Sequence, residues 1–343
     1  MPGCLAVASA AGERLSIDVN GIDFPVYWKS RMGFFSVSGK IEREILHSNS
    51  LGNRSRTPGG LSLGYQVSAF PRLTVNAALF CHYFSEWGWK SWPGIDLLYD
   101  LFEPVSVYAS IGRSFRMPSF TELYYASPAN IGNPNLYPSE AENAEIGLNA
   151  RRGGGFLRVA LFRRLGKNMI DWARQAEDEA WRAMNITQLT TQGLEVECQY
   201  RPTTAAPLRS LFLSATFLAT DKMRDDYQSK YVLNYLSQQV ACGSTLGLLF
   251  GIEANLQMQW KKRYRNDPVF LTDLALHKRV NACTLYVKAN NLFDASYFEV
   301  AGVPMPGRWI SGGLNFDFAS RQARNVSDHR SSNHSVFMKS QND

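Results

Sequence analysis

Six side chains in this sequence combine two chemistries that hold a small ligand without transforming it. Arg116, Tyr124 and Tyr125 fall in one long connector, residues 114–141, and Trp172, Arg174 and Trp181 fall in another, residues 166–191. A guanidinium pairs with an anionic group through parallel hydrogen bonds, and an aromatic ring stacks on a ring-bearing ligand. The same groups can equally tie loop to loop or anchor the protein at a membrane interface, so both roles stay open. Bond-breaking chemistry has no comparable support. Five histidines are scattered without ligand spacing, and only a forced constellation joins His47, His82 and Asp273. No phosphate-cradling glycine loop, Ser/His/Asp arrangement or zinc pattern occurs. Five cysteines without CxxC spacing, four on the apolar phase of candidate strands, read as small hydrophobes. The expectation is a non-enzyme with no catalytic residue, no metal and no cofactor.

The elements that must position the six groups are strands. The clearest runs from Ile252 to Lys261, where Ile252, Ala254, Leu256, Met258 and Trp260 oppose Glu253, Asn255, Gln257, Gln259 and Lys261. Alternation with period two is the mark of a pleated chain whose faces meet different surroundings. Further runs begin near Phe35, Leu61, Leu73, Val105, Ala144, Leu157, Leu194, Arg209, Val240 and Phe270, with a weaker one near Ile95. With a final hairpin over 281–318, the count is about fourteen strands, most of them longer than a soluble strand's usual five or six residues. Connectors alternate: short at 70–72, 103–104, 151–155, 201–207, around Gly251 and at 277–280, and mostly long at 44–58, 84–92, 114–141, 166–191, 220–232 and 291–307. The final hairpin sets Leu285, Val287, Leu314 and Phe316 against Lys288, Asn315 and Asp317.

Composition agrees. Of 343 residues 45% are apolar, 13% aromatic and 19% charged, and the net charge of +6 is spread along the chain, so no nucleic-acid partner is expected. No run of about eighteen apolar residues exists, which excludes a membrane-spanning helix. The opening MPGCLAVASAAGERL lacks a basic start and an apolar run long enough for an export signal. Long strands, unequal rims, aromatic residues near strand ends and a polar phase bearing Arg158, Arg164, Glu195, Glu197, Glu253 and Lys288 predict an all-β, antiparallel transmembrane β-barrel.

Three segments carry a resemblance beyond pattern. SIGRSFRMPSFTELYY (110–125) with GNPNLYPSEAENAEIGL (132–148), GKNMIDWAR (166–174) with MNITQLTTQGLEVE (184–197), and ANNLFDASYF (289–298) with PMPGRWISGGLNF (304–316) stand in order along the chain. In this order they resemble the TonB-dependent outer-membrane receptors. That resemblance implies a scaffold in which Pro118, Ser119 and Phe120 form a strand exit, with Pro118 holding Met117 extended. It implies that Gly132, Asn133 and Pro134, with Pro138, build a stiff return turn. Asn290 and Asn291 would satisfy loop backbone beside Pro306, Gly307 would let the chain bend into the last strand, and Phe318 would be the aromatic end of the barrel.

The resemblance further implies energised uptake of a scarce nutrient (an iron chelate, cobalamin or similar) by a monomer embedded in outer-membrane lipid of a Gram-negative cell. Such receptors have about 22 strands around a plug that meets the TonB complex, so the fourteen strands here correspond to the C-terminal part of the barrel, with plug and earlier strands absent from this chain. Residues 1–32 are expected to be an irregular segment with a possible partial strand, 33–318 the barrel, and 319–343 a disordered polar tail. A passive diffusion channel, a barrel-borne enzyme or adhesin, and a truncated remnant are the alternatives.

Overall fold

The computed structural model describes residues 14–316 apart from 177, 204–206, 223–227, 231–234, 265 and 301–302. Its main sheet has 18 strands. Three are short pieces, Gly52–Arg56, Asn130–Ile131 and Gln228–Ser229, and the remaining fifteen are long. In chain order these are β1 (Leu15–Ser30), β2 (Gly33–Ser48), β3 (Gly59–Phe70), β4 (Leu73–Phe84), β5 (Gly88–Phe102), β6 (Val105–Arg116), β7 (Ser139–Arg152), β8 (Gly155–Arg174), β9 (Trp181–Tyr200), β10 (Leu208–Lys222), β11 (Leu236–Gly247), β12 (Ile252–Arg263), β13 (Val269–Val280), β14 (Cys283–Asn290) and β15 (Trp309–Phe316). Each pairs antiparallel with the next. The one α-helix among the described residues is α1, Phe120–Tyr124, beside a single 3-10 turn at Leu249–Gly251.

At one rim the connections are tight. Arg31–Met32, Pro71–Arg72, Gly153–Gly154 and Asn281–Ala282 join strands directly, and Arg72, Asn281 and both glycines take the left-handed backbone such turns demand. The other rim carries the wide excursions 117–138, 223–235 and 291–308. Direct cross-strand partners share a face, so the register traces two surfaces across the whole sheet. One bears Glu145, Arg158, Glu197, Ser214, Gln259 and Asp273. The opposite one bears Val107, Ile111, Ile146, Leu161, Leu213, Val287 and Leu314, many of them highly exposed apolar residues. Neither face is a conventional core. Two clusters of buried apolar side chains sit instead at the wide rim, one of Leu46, Leu51 and Phe120 and another of Leu123, Leu136, Ile170 and Ala183.

Several expectations need correction. Residues 15–30, expected to be irregular, form a full sixteen-residue strand. Its apolar phase inverts midway: Leu15 and Ile17 pack toward the polar-face cluster around Leu46, whereas Ile22, Phe24, Val26 and Trp28 lie on the apolar face, so no single alternation marks it. The long connector at 84–92 is only Ser85–Trp87, because β5 already starts at Gly88. The connector at 166–191 is mostly strand, leaving only 175–180 between β8 and β9. The short connector placed at 277–280 lies within β13, and the turn follows it. Residues 1–13, Asp317, Phe318 and 319–343 lie outside the described residues.

β1 and β15 are the lateral edges of the sheet. Among the described residues no ladder joins them. With fifteen alternating strands, both run from the wide rim to the tight-turn rim, so a direct pairing between them would be parallel.

Candidate functional site

The excursion after β6 is tied down in stages. Arg116, the last residue of β6, makes a bidentate pair with Glu122 (Nη1–Oε2 2.9 Å, Nη2–Oε1 3.0 Å). Ser119 caps α1: its Oγ accepts from the Glu122 amide at 3.2 Å, and its own amide donates to Glu122 Oε2 at 2.7 Å. This reciprocal box satisfies two otherwise orphan donors. Burial alone would raise the Glu122 pKa, but the Arg116 and Ser119 hydrogen bonds hold the carboxyl below its ordinary range. The S-x-x-E spacing of Ser119 and Glu122 is legible in the sequence and would have located this helix.

α1 lies over the polar face of the β1–β2 end. Phe120 is buried against Leu46 and Leu51, with the Arg56 guanidinium 4.5 Å above its ring. Arg56 also donates to Glu44 Oε2 at 2.7 Å and to the carbonyl of buried Pro118 at 2.9 Å. Arg54 sits 4.0 Å over Tyr124. On its other side Leu123 packs with Leu136, Ile170 and Ala183, and Tyr124 touches both clusters. The short helix thus straps the tips of β1–β2 to those of β8–β9. Gly132 and Asn133 close it off, donating from their amides to Tyr125 O at 2.6 Å and Glu122 O at 2.8 Å. A Cβ at Gly132 would stand 2.9 Å from the Tyr125 nitrogen, so backbone passes backbone too closely for any other residue. Asn133 Oδ1 accepts from the Asn135 amide at 2.9 Å across exposed Pro134.

The six ligand candidates divide into two groups. Tyr124, Tyr125 and Trp172 pack around the strap's clusters, and Arg116 is engaged by Glu122. Arg174 and Trp181 meet at the tip of the β8–β9 hairpin, with the guanidinium 4.4 Å over the indole. Arg174 Nε also donates to Gln228 at 3.1 Å, and Lys230 lies 5.7 Å from the same indole. Beneath them buried Asp171 accepts from the Trp172 amide at 2.7 Å and from the Ser229 hydroxyl. Residues that composition did not single out, Arg54, Arg56, Glu44 and Asn185, hold this rim as firmly as the predicted ones. Asn185 alone bonds Tyr137 O at 2.8 Å, Asn168 O at 2.8 Å and the Tyr137 amide at 2.9 Å.

His47, His82 and Asp273 do not converge. His47 bonds Asn53, His82 stacks among Phe84, Trp92 and Phe115, and Asp273 accepts from the Asn291 amide at 2.8 Å. No cluster of metal-ligating residues occurs among the described residues. Asn291 ties the last excursion at both ends, donating to Ala295 O at 2.8 Å and Pro306 O at 3.4 Å while accepting from the Ala295 amide at 2.9 Å. Gly307 is needed for a reason other than bending. Its backbone is not left-handed, but an added Cβ would stand 2.5 Å from Asp294 Oδ1, which accepts from the Arg308 amide.

Below the rim the polar face offers hydrogen-bonding surface without reactive geometry. Tyr108 donates to Glu145 at 2.5 Å, and Arg158 donates to both at 3.0 and 2.9 Å. A cleft of about 380 Å³ runs along β10–β14, lined by Phe212, Thr245, Asn255, Gln257, Asp273 and Lys288 among others.

Residues 21–292 match the family described as TonB dependent receptor-like, beta-barrel. The vitamin B12 transporter BtuB of Vibrio vulnificus is 28% identical over 199 residues, covering 56% of this chain and 31% of the transporter. That of Photobacterium profundum is 25% identical over 237 residues, covering 67% and 35%. Among solved structures, the siderophore receptor PirA of Pseudomonas aeruginosa superposes with a TM-score of 0.68 at 17% identity, covering 88% of this chain and 55% of that one. A variant of the ferric enterobactin receptor PfeA of the same organism, in complex with enterobactin, gives 0.68 at 17%, covering 88% and 54%. The chain therefore spans about a third of the length of the transporters it matches and about half of the receptors.

Proposed function

Because this chain belongs to the TonB-dependent receptor family through its β-barrel domain, we propose that it forms the C-terminal part of an outer-membrane receptor wall for energised uptake of a scarce small-molecule nutrient. The single observation that carries the reading is the continuous fifteen-strand sheet, polar on one face, apolar on the other, and strapped at its wide rim. In this reading the apolar face meets lipid, the polar face lines the lumen, and the wide rim faces outward. The nutrient is a ring-bearing or anionic chelate, an iron–siderophore complex or cobalamin, as the names of the relatives suggest. Coupling to TonB runs through a plug seated against the lumen wall, one receptor per barrel, and the chain itself performs no covalent chemistry.

A self-sufficient passive channel is less well supported. An antiparallel barrel closes on an even number of strands, whereas here both edge strands run the same way and stay unpaired among the described residues. The receptor reading is tested by disrupting the gene in its own host and measuring uptake of labelled cobalamin and ferric chelates, with and without an uncoupler. Loss of one uncoupler-sensitive uptake activity is expected. Unchanged uptake of every chelate tried, with the chain present in outer-membrane fractions of the parent, would refute it.

A further inference from the structure

The ladder between β5 and β6 stops at Gly94↔Gly112, although β5 continues to Gly88 and β6 to Arg116. Pro93, which has no N–H to give, stands where pairing ends. Above that point the strands part into a cleft of about 320 Å³ at the wide rim. Phe84, Trp92 and Phe115 back it, the last two stacked at 3.9 Å. Its lining includes Trp89, Lys90, Arg113, Glu142 and Lys167.

Three features point to what fills it. The register places Arg113, Glu142 and Lys167 on the apolar face, directly above Ile111, Ala144 and Leu165 in turn. From Val105 to Arg113 is about 26 Å of strand, or roughly 19 Å of height at a 40–45° tilt, close to the upper margin of an outer-membrane apolar band. Charge is in surplus: Arg113 and Lys167 share the one carboxylate of Glu142 at 3.1 and 3.7 Å, while Lys90 takes Glu140 at 3.6 Å. One row closer to the bilayer centre, exposed Arg163 faces the same way with no carboxylate within ion-pair distance among the described residues. A lipid-facing arginine at that depth needs an anion at the headgroup level. Trp89, 68% exposed on the same face and tilted against Tyr83 at 5.6 Å, offers its remaining ring surface beside these cations.

We propose that this outward cleft binds the phosphorylated sugar headgroup of an outer-leaflet glycolipid, with Arg113, Arg163 and Lys167 on phosphate and Trp89 beneath a sugar ring. Guanidinium groups match phosphate in planar, two-pronged fashion, and indole faces suit the apolar face of a pyranose. The assignment rests on reading the apolar face as lipid-facing and is independent of which nutrient is carried.

The test uses the full chain purified from outer membranes in neutral detergent, followed by native mass spectrometry and thermal melting. Diphosphorylated lipid A, its dephosphorylated form, phosphatidylcholine and inorganic phosphate are compared as additives. Retained adducts and a raised melting temperature are expected for the diphosphorylated glycolipid only. The triple variant R113A/R163A/K167A should bind it about tenfold or more weakly, the loss expected for removing charge-assisted contacts, and Trp89→Ala should weaken it less. Equal binding of the dephosphorylated glycolipid, or equal effects of inorganic phosphate, would overturn the proposal on the wild-type chain alone, whether or not the variant folds. A chain that fractionates with the outer membrane yet ignores the phosphoryl groups refutes this site and leaves the receptor reading standing.

Discussion

Replacing Glu122 with alanine should release the strap across the wide rim while leaving the sheet intact. The side chain is 13% exposed and accepts from Arg116 twice, from the Ser119 amide and from its hydroxyl. Loss of the box at the helix start costs about 1 kcal/mol. Stranding the Ser119 amide and half-exposed Arg116 adds about 1 kcal/mol, the ion-pair share being reduced by solvent around a guanidinium that is 50% exposed. A total of about 2 kcal/mol raises the open fraction of the strap roughly thirtyfold. Proteolysis within 117–138 and amide exchange of Leu123, Gly132 and Asn133 should report that increase, with little change in the exchange of β12 and β13. Acid should mimic the substitution. Because the folded carboxyl is held below its free value near 4.5, its contribution is complete above that pH and disappears as pH falls through the lower folded value. Glu122→Gln should cleave faster than wild type at pH 7 and lose the acid-dependent step. Equal cleavage of Glu122→Gln and wild type at pH 7, or a wild-type rate flat from pH 6 to pH 3, would refute the argument.

Other positions give equally direct outcomes. Gly193→Val places a Cβ 2.4 Å from the Phe162 ring and should destabilise by about 1–3 kcal/mol, read as a lower unfolding temperature on gels. Gly39→Ala meets nothing within 4 Å and should be neutral or slightly stabilising, which makes it the control. Leu136→Ala, removing a side chain 2% exposed within the rim cluster, should cost about 2–4 kcal/mol and speed amide exchange at Ile170 and Ala183. Asn291→Ala leaves the Ala295 amide and carbonyl without their side-chain partner and should cost about 1–3 kcal/mol, seen as faster exchange over 291–300.

What could be read in advance, and what could not, divides by height in the membrane. Through the bilayer a strand has lipid on one side and water on the other, so period two is strict, as Ile252–Lys261 illustrates. Every long strand but β1 was legible on that basis. The candidate ligand side chains were legible as types but not as partners. Arg116 is claimed by Glu122, six residues away, and Tyr124 by Arg54, seventy residues away; neither separation leaves a periodic trace.

Above the bilayer the rule that produced the alternation no longer holds, and the misreadings lie there. In β1 the apolar residues change sides between Val19 and Ile22, because Ile17 meets the Leu46 cluster on the polar face whereas Ile22 lies exposed on the apolar face. In β8 the apolar face runs through Leu157, Val159 and Leu161 and then mixes Arg163 and Lys167 with Leu165, although the strand continues unbroken to Arg174. In β6 the change falls between Ile111 and Arg113. In β6 and β8 the two changes fall within one register row, since Ile111 and Arg163 both pair with Ala144, and the receptor reading assigns both to the change of solvent at the outer interface. On β8 that row is also where Arg163, with no carboxylate within ion-pair distance among the described residues, lies on the apolar face. The interface can therefore be located from where the alternation breaks. A spin label should show the break: at position 146 or 161 it should be quenched by lipid-soluble oxygen, and at position 113 or 167 by a water-soluble relaxant. The same accessibility at all four positions would mean that the sheet does not sit in a bilayer at this height.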